Sequence, residues 1–261
     1  MFIDAHNHLH DPRLGDPAPI ITRMQETGID SCVVNATCEE DWPLVEALAE
    51  KYPGFVLPAY GVHPWKAHLV ESGWEERLHT LLDRHPEASI GECGLDRWVQ
   101  EPDIALQAPV FEAQLRLARE FDRPVTIHCL KAWQALFDSF ERIPPPRRFL
   151  MHSFNGSIET ARRLLPIGAY FSFSGYFLHT RKAEVQEVFR QLPLDRILIE
   201  TDAPDMKPPD DFIDFPHEKV NHPANLSAVA RGFAEVMGLS PEELGARTSE
   251  NFSRFFHDQL T

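Results

Sequence analysis

The chain has 261 residues, 43% hydrophobic and 25% charged, with 25 Lys and Arg against 40 Asp and Glu and a formal charge of −15. That composition supports a sizeable apolar core. The negative field disfavours non-specific attraction to nucleic acid but leaves room for a small site whose sign bound cations reverse. The N-terminus lacks a basic stretch followed by an apolar one, the longest weakly polar run, PIGAYFSFSGYFL, is too short for a membrane helix, and Cys32, Cys38, Cys93 and Cys129 form no C-x-x-C pair; a cytoplasmic protein with free thiols and no membrane association is expected.

In chain order, eight short apolar runs read as strands: FIDAHNH, SCVVNAT, FVLPAYGV, ASIGEC, PVTIHC, RFLMHSF, AYFSFS and RILIETD. Between them lie helix-length segments such as DWPLVEALAEKY, WEERLHTLLDRH and IALQAPVFEAQLRLAREF. In the last, Leu106, Val110, Ala113, Leu117 and Phe121 form one stripe, and Pro109 predicts a helix start or bend. A long proline-rich loop, APDMKPPDDFIDFPHEKVNHPAN, follows the eighth strand, and two helices follow it. The second opens at SPEE, with Ser240 as N-cap, Pro241 at the first helical position and Glu243 completing a capping box. Alternating strands and helices predict a parallel sheet, and eight units predict a (β/α)8 TIM barrel, one domain over residues 1–261. An open doubly wound sheet would more often carry glycines in the first turn, where this chain has His6 and His8.

The polar residues are distributed unusually. His6, His8, His63, His128 and His152, with Glu92, Glu200 and Asp202, all fall at C-terminal strand ends, which in such a barrel open onto one face. Strict alternation puts Asp4, His6 and His8 on one side of the first strand, Thr126 with His128, Leu150 with His152, and Glu200 with Asp202, all toward the barrel axis. Cys93 and Cys129 then point outward into the core. Imidazoles and carboxylates gathered in this way are satisfied by divalent cations, with His6 and His8 reaching one ion and Glu92 bridging two. Zn, Mn, Fe, Co and Ni suit the nitrogen-rich set, and Mg is allowed where supply sets occupancy. Asp4 lies one layer deeper and is expected to support the ligands. Trp65, Trp98 and Trp133 follow strand ends, where they stack on bases or pack loops. The remaining histidines, His10, His68, His79, His85, His179, His217, His222 and His257, are expected mostly at the surface.

The motifs FIDAHNHLH, GVHPW, GECGLD, PVTIHC, MHSFNGS, FSFSG, ILIETDAP, NHPANL and ENFSRFF occur in the order found in the TatD family of metal-dependent deoxyribonucleases, and nearly the whole chain resembles that family. The resemblance implies a barrel of the amidohydrolase-like group with a metal cluster at its mouth. It implies that His6, His8, Glu92 and Asp202 hold one ion, that Glu92, His128 and His152 hold another, and that His63 and Glu200 line the site or hold a third. The chain departs from the family pattern at Arg97 and Trp98 after Asp96, at Val220 before Asn221, and at Ser153 and Asn155. These positions bear on the substrate rim and not on the ligands.

The expected reaction is phosphodiester hydrolysis, most naturally of DNA from an end, with Asp202 and Glu92 as catalytic carboxylates. Asn155, Gly156 and Ser157 at a helix start, with Arg97, Lys131 and Lys207, are the candidate phosphate contacts. The competing expectation is a small-molecule amidohydrolase, esterase or phosphotriesterase on the same two-metal barrel. Many two-metal members of that group bridge their metals with a carboxylated lysine, whereas the fourth strand here offers Glu92 and no lysine. A metal-retaining barrel that only binds is the third alternative. No obligate protein partner is expected.

Overall fold

The structure, a computed structural model, describes residues 1–98, 101–217 and 219–257; the side chain of His257 and the last residues of the expected domain fall outside them. Strands β1 (Phe2–Asn7), β2 (Ile29–Asn35), β3 (Val56–Tyr60), β4 (Ser89–Asp96), β5 (Val125–Leu130), β6 (Phe149–Met151), β7 (Ala169–Ser174) and β8 (Ile197–Glu200) alternate with helices. These are α1 (Pro17–Glu26), α2 (Trp42–Lys51), α3 (Trp74–Arg84), α4 (Ile104–Glu120), α5 (Trp133–Arg142), α6 (Ile158–Leu164) and α7 (Ala183–Gln191), with α8 (Leu226–Met237) and α9 (Pro241–His257) after β8. The strands form one sheet in the order β1 to β8, with every neighbouring pair parallel. This is the expected TIM barrel, and no described helix is long and apolar enough to cross a membrane.

The seam between β1 and β8 is closed beyond the strand ladder. His6 O accepts from Asp202 N at 3.0 Å, and His8 N donates to Ala203 O at 2.8 Å. Asp4 accepts from Thr201 N at 2.9 Å and from Thr201 Oγ1 at 2.6 Å. These bonds carry His6, His8 and Asp202 to the same rim.

Apolar residues divide between two layers. Ile3, Ala5, Val33, Leu57, Ala59, Leu150, Tyr170 and Leu198 gather inside the barrel, and Phe252 and Phe255 of α9 join them. The larger layer lies between sheet and helices and includes Cys93, Cys129, Ile197 and Ile199, facing outward as alternation predicts. Asn251 holds α9 in place by donating to Leu194 O and Ile197 O at 2.7 and 2.8 Å. The terminal motif ENFSRFF therefore closes one end of the barrel. Ser240 caps α9 as expected, accepting from Glu243 N at 3.1 Å.

Two local expectations are corrected. Helix α4 starts at Ile104 under an Asp103 cap and runs through Pro109. One lost backbone bond is outweighed by burial on either side of it, at Gln107, Val110, Phe111, Ala113 and Gln114. Leu106 is not part of the buried stripe and is 41% exposed. Position 107 takes its place, because a glutamine there can satisfy backbone groups at the strand ends.

Strict alternation also fails on β1. Ile3 and Ala5 face the interior cluster, while Asp4 pairs in register with Cys32, which lies in the outer layer. Pairing shifts between Asp4 and Asn7, and again on β4 between Ile90 and Cys93. Such irregularities re-aim a side chain, and these two lie at His6 and Glu92.

Candidate metal centre

The structure brings His6, His8, His63, Glu92, His128, His152 and Asp202 together at the C-terminal mouth of the barrel. They come from β1, β4, β5 and the turns after β1, β3, β6 and β8. The predicted sixth and eighth strands stop early, so His152 and Asp202 lie just past them. Ser153 and Asp202 have φ of +42° and +51°, an uncommon conformation for non-glycine residues that the surrounding contacts hold. Gly94 has φ +141°, and a Cβ there would lie 1.9 Å from His128 O. Glycine at that position lets β4 and β5 approach closely beside Glu92 and His128.

Glu92 divides its carboxylate between two groups. On one side, His6 Nε2 and His8 Nε2 lie 3.4 and 3.2 Å from Glu92 Oε2, and 3.3 and 3.5 Å from Asp202 Oδ1, and the two nitrogens are 3.2 Å apart. His6, His8 and Glu92 thus offer ligand atoms close enough together to share one cation, and so do His6, His152 and Asp202. On the other side, His128 Nδ1, His152 Nε2 and His63 Nε2 lie 3.1, 2.8 and 3.3 Å from Glu92 Oε1. His128 Nδ1 and His152 Nε2 are 3.2 Å apart.

For His8, His128 and His63, hydrogen bonds on the far side of the ring decide which nitrogen presents a lone pair. His8 Nδ1 donates to Asn35 O at 2.8 Å, and His128 Nε2 donates to Asp96 Oδ2 at 2.8 Å. Their inward nitrogens therefore carry a free lone pair when the rings are neutral and could serve as ligand atoms. His63 is arranged the opposite way: its Nδ1 accepts from Trp65 N at 3.2 Å, so Nε2 carries the hydrogen toward Glu92. Burial keeps His63 below the ordinary imidazole value. Burial also opposes charge on His8 and His152, yet nearby carboxylates raise both well above it. Burial would likewise raise Glu92 and Asp202, but the surrounding histidines hold both carboxyls low. Divalent cations can replace those protons, and the donor types, their spacing and the tautomers of His8 and His128 fit them.

Glu200 lies behind this cluster and is fully buried. Its Oε1 accepts from Ser153 N and Ser153 Oγ at 2.7 and 2.6 Å, and Ser172 Oγ donates to Oε2. His152 Nδ1 stands 3.7 Å from Oε1. Asp4 is similarly engaged by Thr201, Asn7 and the His6 amide, in keeping with a supporting role.

Three residues with no expected place in the site pack against it or its supports. His10 is expected at the surface, but its ring is 5% exposed, lies 6.0 Å from His8 and sets Nε2 3.4 Å from Asp41 Oδ2. The signal was present, since HNHLH extends the every-second-residue histidine pattern to position 10. Gln107 binds Asp96 on both sides of its backbone, accepting from Asp96 N at 2.8 Å and donating to Asp96 O at 3.1 Å. Gln114 does the same for Val62, next to His63, at 2.8 and 3.2 Å. A lone glutamine in an amphipathic helix carries no sequence signal for such a contact.

A cavity of about 590 Å³ opens above the cluster, lined in part by Asn155, Trp65 and Trp98. The other candidate phosphate contacts separate. Gly156 is buried against Phe154 and Trp133, where a Cβ would meet ring atoms at 2.7–2.9 Å. Ser157 caps the seven-residue α6 by accepting from Thr160 N at 3.2 Å. Trp133 packs on Phe154 and not at the rim. Arg97 is exposed, Lys131 Nζ lies 4.2 Å over the Trp98 ring, and Lys207 lines a neighbouring cavity with Tyr176 and His179.

The sequence matches the family described as TatD related DNase over residues 3–257. It is 33% identical over 208 residues to the uncharacterized metal-dependent hydrolase YjjV of Escherichia coli (strain K12), covering 78% of this chain and 80% of that protein. It is 29% identical over 242 residues to the 3'-5' ssDNA/RNA exonuclease TatD of Yersinia pseudotuberculosis serotype O:3 (strain YPIII), covering 91% and 92%. The crystal structure of E. coli YjjV, a TatD homolog, matches the fold with a TM-score of 0.89 at 29% identity, over 98% of this chain and 97% of that one. Agreement of this breadth, in sequence and backbone alike, makes the chain a member of the TatD-related DNase family.

Proposed function

We propose that this chain is a divalent-metal-dependent phosphodiesterase that hydrolyses single-stranded nucleic acid from an end. The observation that carries the reading is the division of Glu92 between two groups of imidazoles, which suits a pair of cations. His6, His8, Glu92 and Asp202 would hold one, and Glu92, His128 and His152 the other. Cations bound there supply Lewis-acid chemistry that offsets phosphate charge and lowers the pKa of water.

The chain's own groups complete the reaction. Asp202 lies at the mouth, where it can orient the attacking water and take its proton. His63 is suited to donate to a phosphate oxygen once Glu92 is engaged by cations, because its Nδ1 is committed to Trp65 N and its Nε2 hydrogen points to Glu92 at the cavity wall. Glu200 is a positioning residue that steadies Ser153 and faces His152, since its oxygens already accept from serines. Asn155 is the cavity-wall residue of the NGS turn able to reach substrate. The negative charge of the chain favours a short end over a long duplex tract. The exonuclease named among its relatives supports single strands and 3'-to-5' polarity.

The test is a parallel assay of purified protein with Mn, Mg or Zn on single-stranded DNA, RNA and a panel of small esters and amides. Shortening of the oligonucleotides from the 3' end is expected. Turnover confined to the small panel would transfer the chain to the small-molecule alternative.

A further inference from the structure

Trp98 and Trp65 are 62% and 48% exposed, whereas Trp42 and Trp74 are buried. Both exposed rings line the cavity whose floor is the metal centre. Leaving large aromatic surface in water gives up burial energy, so exposed aromatics concentrated at the mouth of a site point to a ligand.

Trp65 is held at its ring and Trp98 at its backbone. Trp65 Nε1 donates to Asp96 Oδ2 at 2.8 Å, and its ring meets His63 and His128 edge-on at centroid distances of 5.1 and 6.4 Å. The Trp98 backbone N donates to Asp96 Oδ1 at 2.5 Å. Lys131, whose φ of +55° is unusual for lysine, sets its ammonium 4.2 Å over the Trp98 ring. One carboxylate thus ties both aromatic residues to His128, and a cation covers one face of the outer ring.

We infer that Trp65 and Trp98 form a stacking platform for unpaired bases of the nucleic-acid end whose phosphodiester lies on the metal centre. The inference rests on the hydrolytic reading above and specifies its substrate. A chain with a net charge of −15 gains little from general phosphate attraction. Stacking supplies affinity that tolerates any base and requires bases free of a duplex.

The test uses the full-length, metal-loaded protein and single-stranded oligothymidylates with hydrolysis-resistant phosphorothioate linkages, either base-bearing or abasic over the terminal nucleotides. Tryptophan fluorescence reads binding. The wild type should bind the base-bearing end about five- to a hundredfold more tightly than the abasic one. In Trp98→Ala that ratio should collapse toward one, and in Trp98→Phe it should be partly retained. Because Trp98 is exposed, an unchanged thermal midpoint will show that the fold is intact. Equal wild-type affinity for the two ends, or an undiminished ratio in Trp98→Ala, overturns the platform. Base-dependent binding without hydrolysis of unmodified oligonucleotides in any divalent cation would keep the platform and sink the nuclease reading.

Discussion

Asp96 holds His128 in one orientation: its Oδ2 accepts from Nε2 at 2.8 Å, which turns Nδ1 toward Glu92 at 3.1 Å. A carboxylate behind a histidine fixes its tautomer and raises its basicity as a ligand. Asp96→Asn places an N–H among donors from His128, Trp65 and Trp98. Metal affinity at the His128–His152 side should fall about 10- to 100-fold, while the His6–His8 side keeps its ion. Cation content per chain, measured during titration with a competing chelator, reads this directly. Two equally retained ions would show that Asp96 does not position His128.

Glu92→Gln removes the shared anion from both groups of histidines. Bound metal should fall below wild type and turnover should drop by at least about 100-fold, more than loss of a supporting residue causes. Exhaustive chelation of the wild type should likewise abolish turnover, and added divalent cation should restore it. Full activity in the chelated protein would falsify the metal mechanism.

Gln114→Leu keeps the apolar fit of α4 but leaves the Val62 amide and carbonyl without their side-chain partners. Each buried group left unpaired costs roughly 1–3 kcal/mol, so the thermal midpoint should fall clearly. Because Val62 adjoins His63, KM should also change. Denaturation scans and steady-state kinetics on one preparation separate the two effects. Unaltered stability would assign the glutamine no structural role.

His222 predicts a dependence on pH away from the candidate metal centre. Burial, then His217 and Arg23, push its pKa down from 6.5 to about 4. The neutral ring accepts from Ala224 N at 3.1 Å. As pH falls from 6.5, the unfolded chain takes up this proton first. The associated stability is therefore complete above pH 6.5 and is lost as pH drops toward about 4. Asn at this position keeps a capping oxygen without the titration. The loss of thermal midpoint between pH 7 and 4.5 should be smaller in His222→Asn than in the wild type. Parallel curves for the two proteins would exclude His222 as a source of acid sensitivity.

The barrel was legible in the linear chain because each strand buries both faces and each helix one, so hydrophobic period and segment length report the layers directly. The histidines and carboxylates were legible because they sit where those apolar runs end. Tertiary structure decided what pattern alone misplaces. Strict alternation put Asp4 beside His6, but the shift in pairing after Asp4 turned His6 inward and left Asp4 to bond Thr201. His10, Gln107 and Gln114 gained their places from partners 31, 11 and 52 positions away. The different tasks of His63 and His128 depend on which ring nitrogen each far-side contact occupies. Local composition sets which segments become strands and helices; aim, tautomer and pairing depend on distant groups that meet only once the sheet has closed.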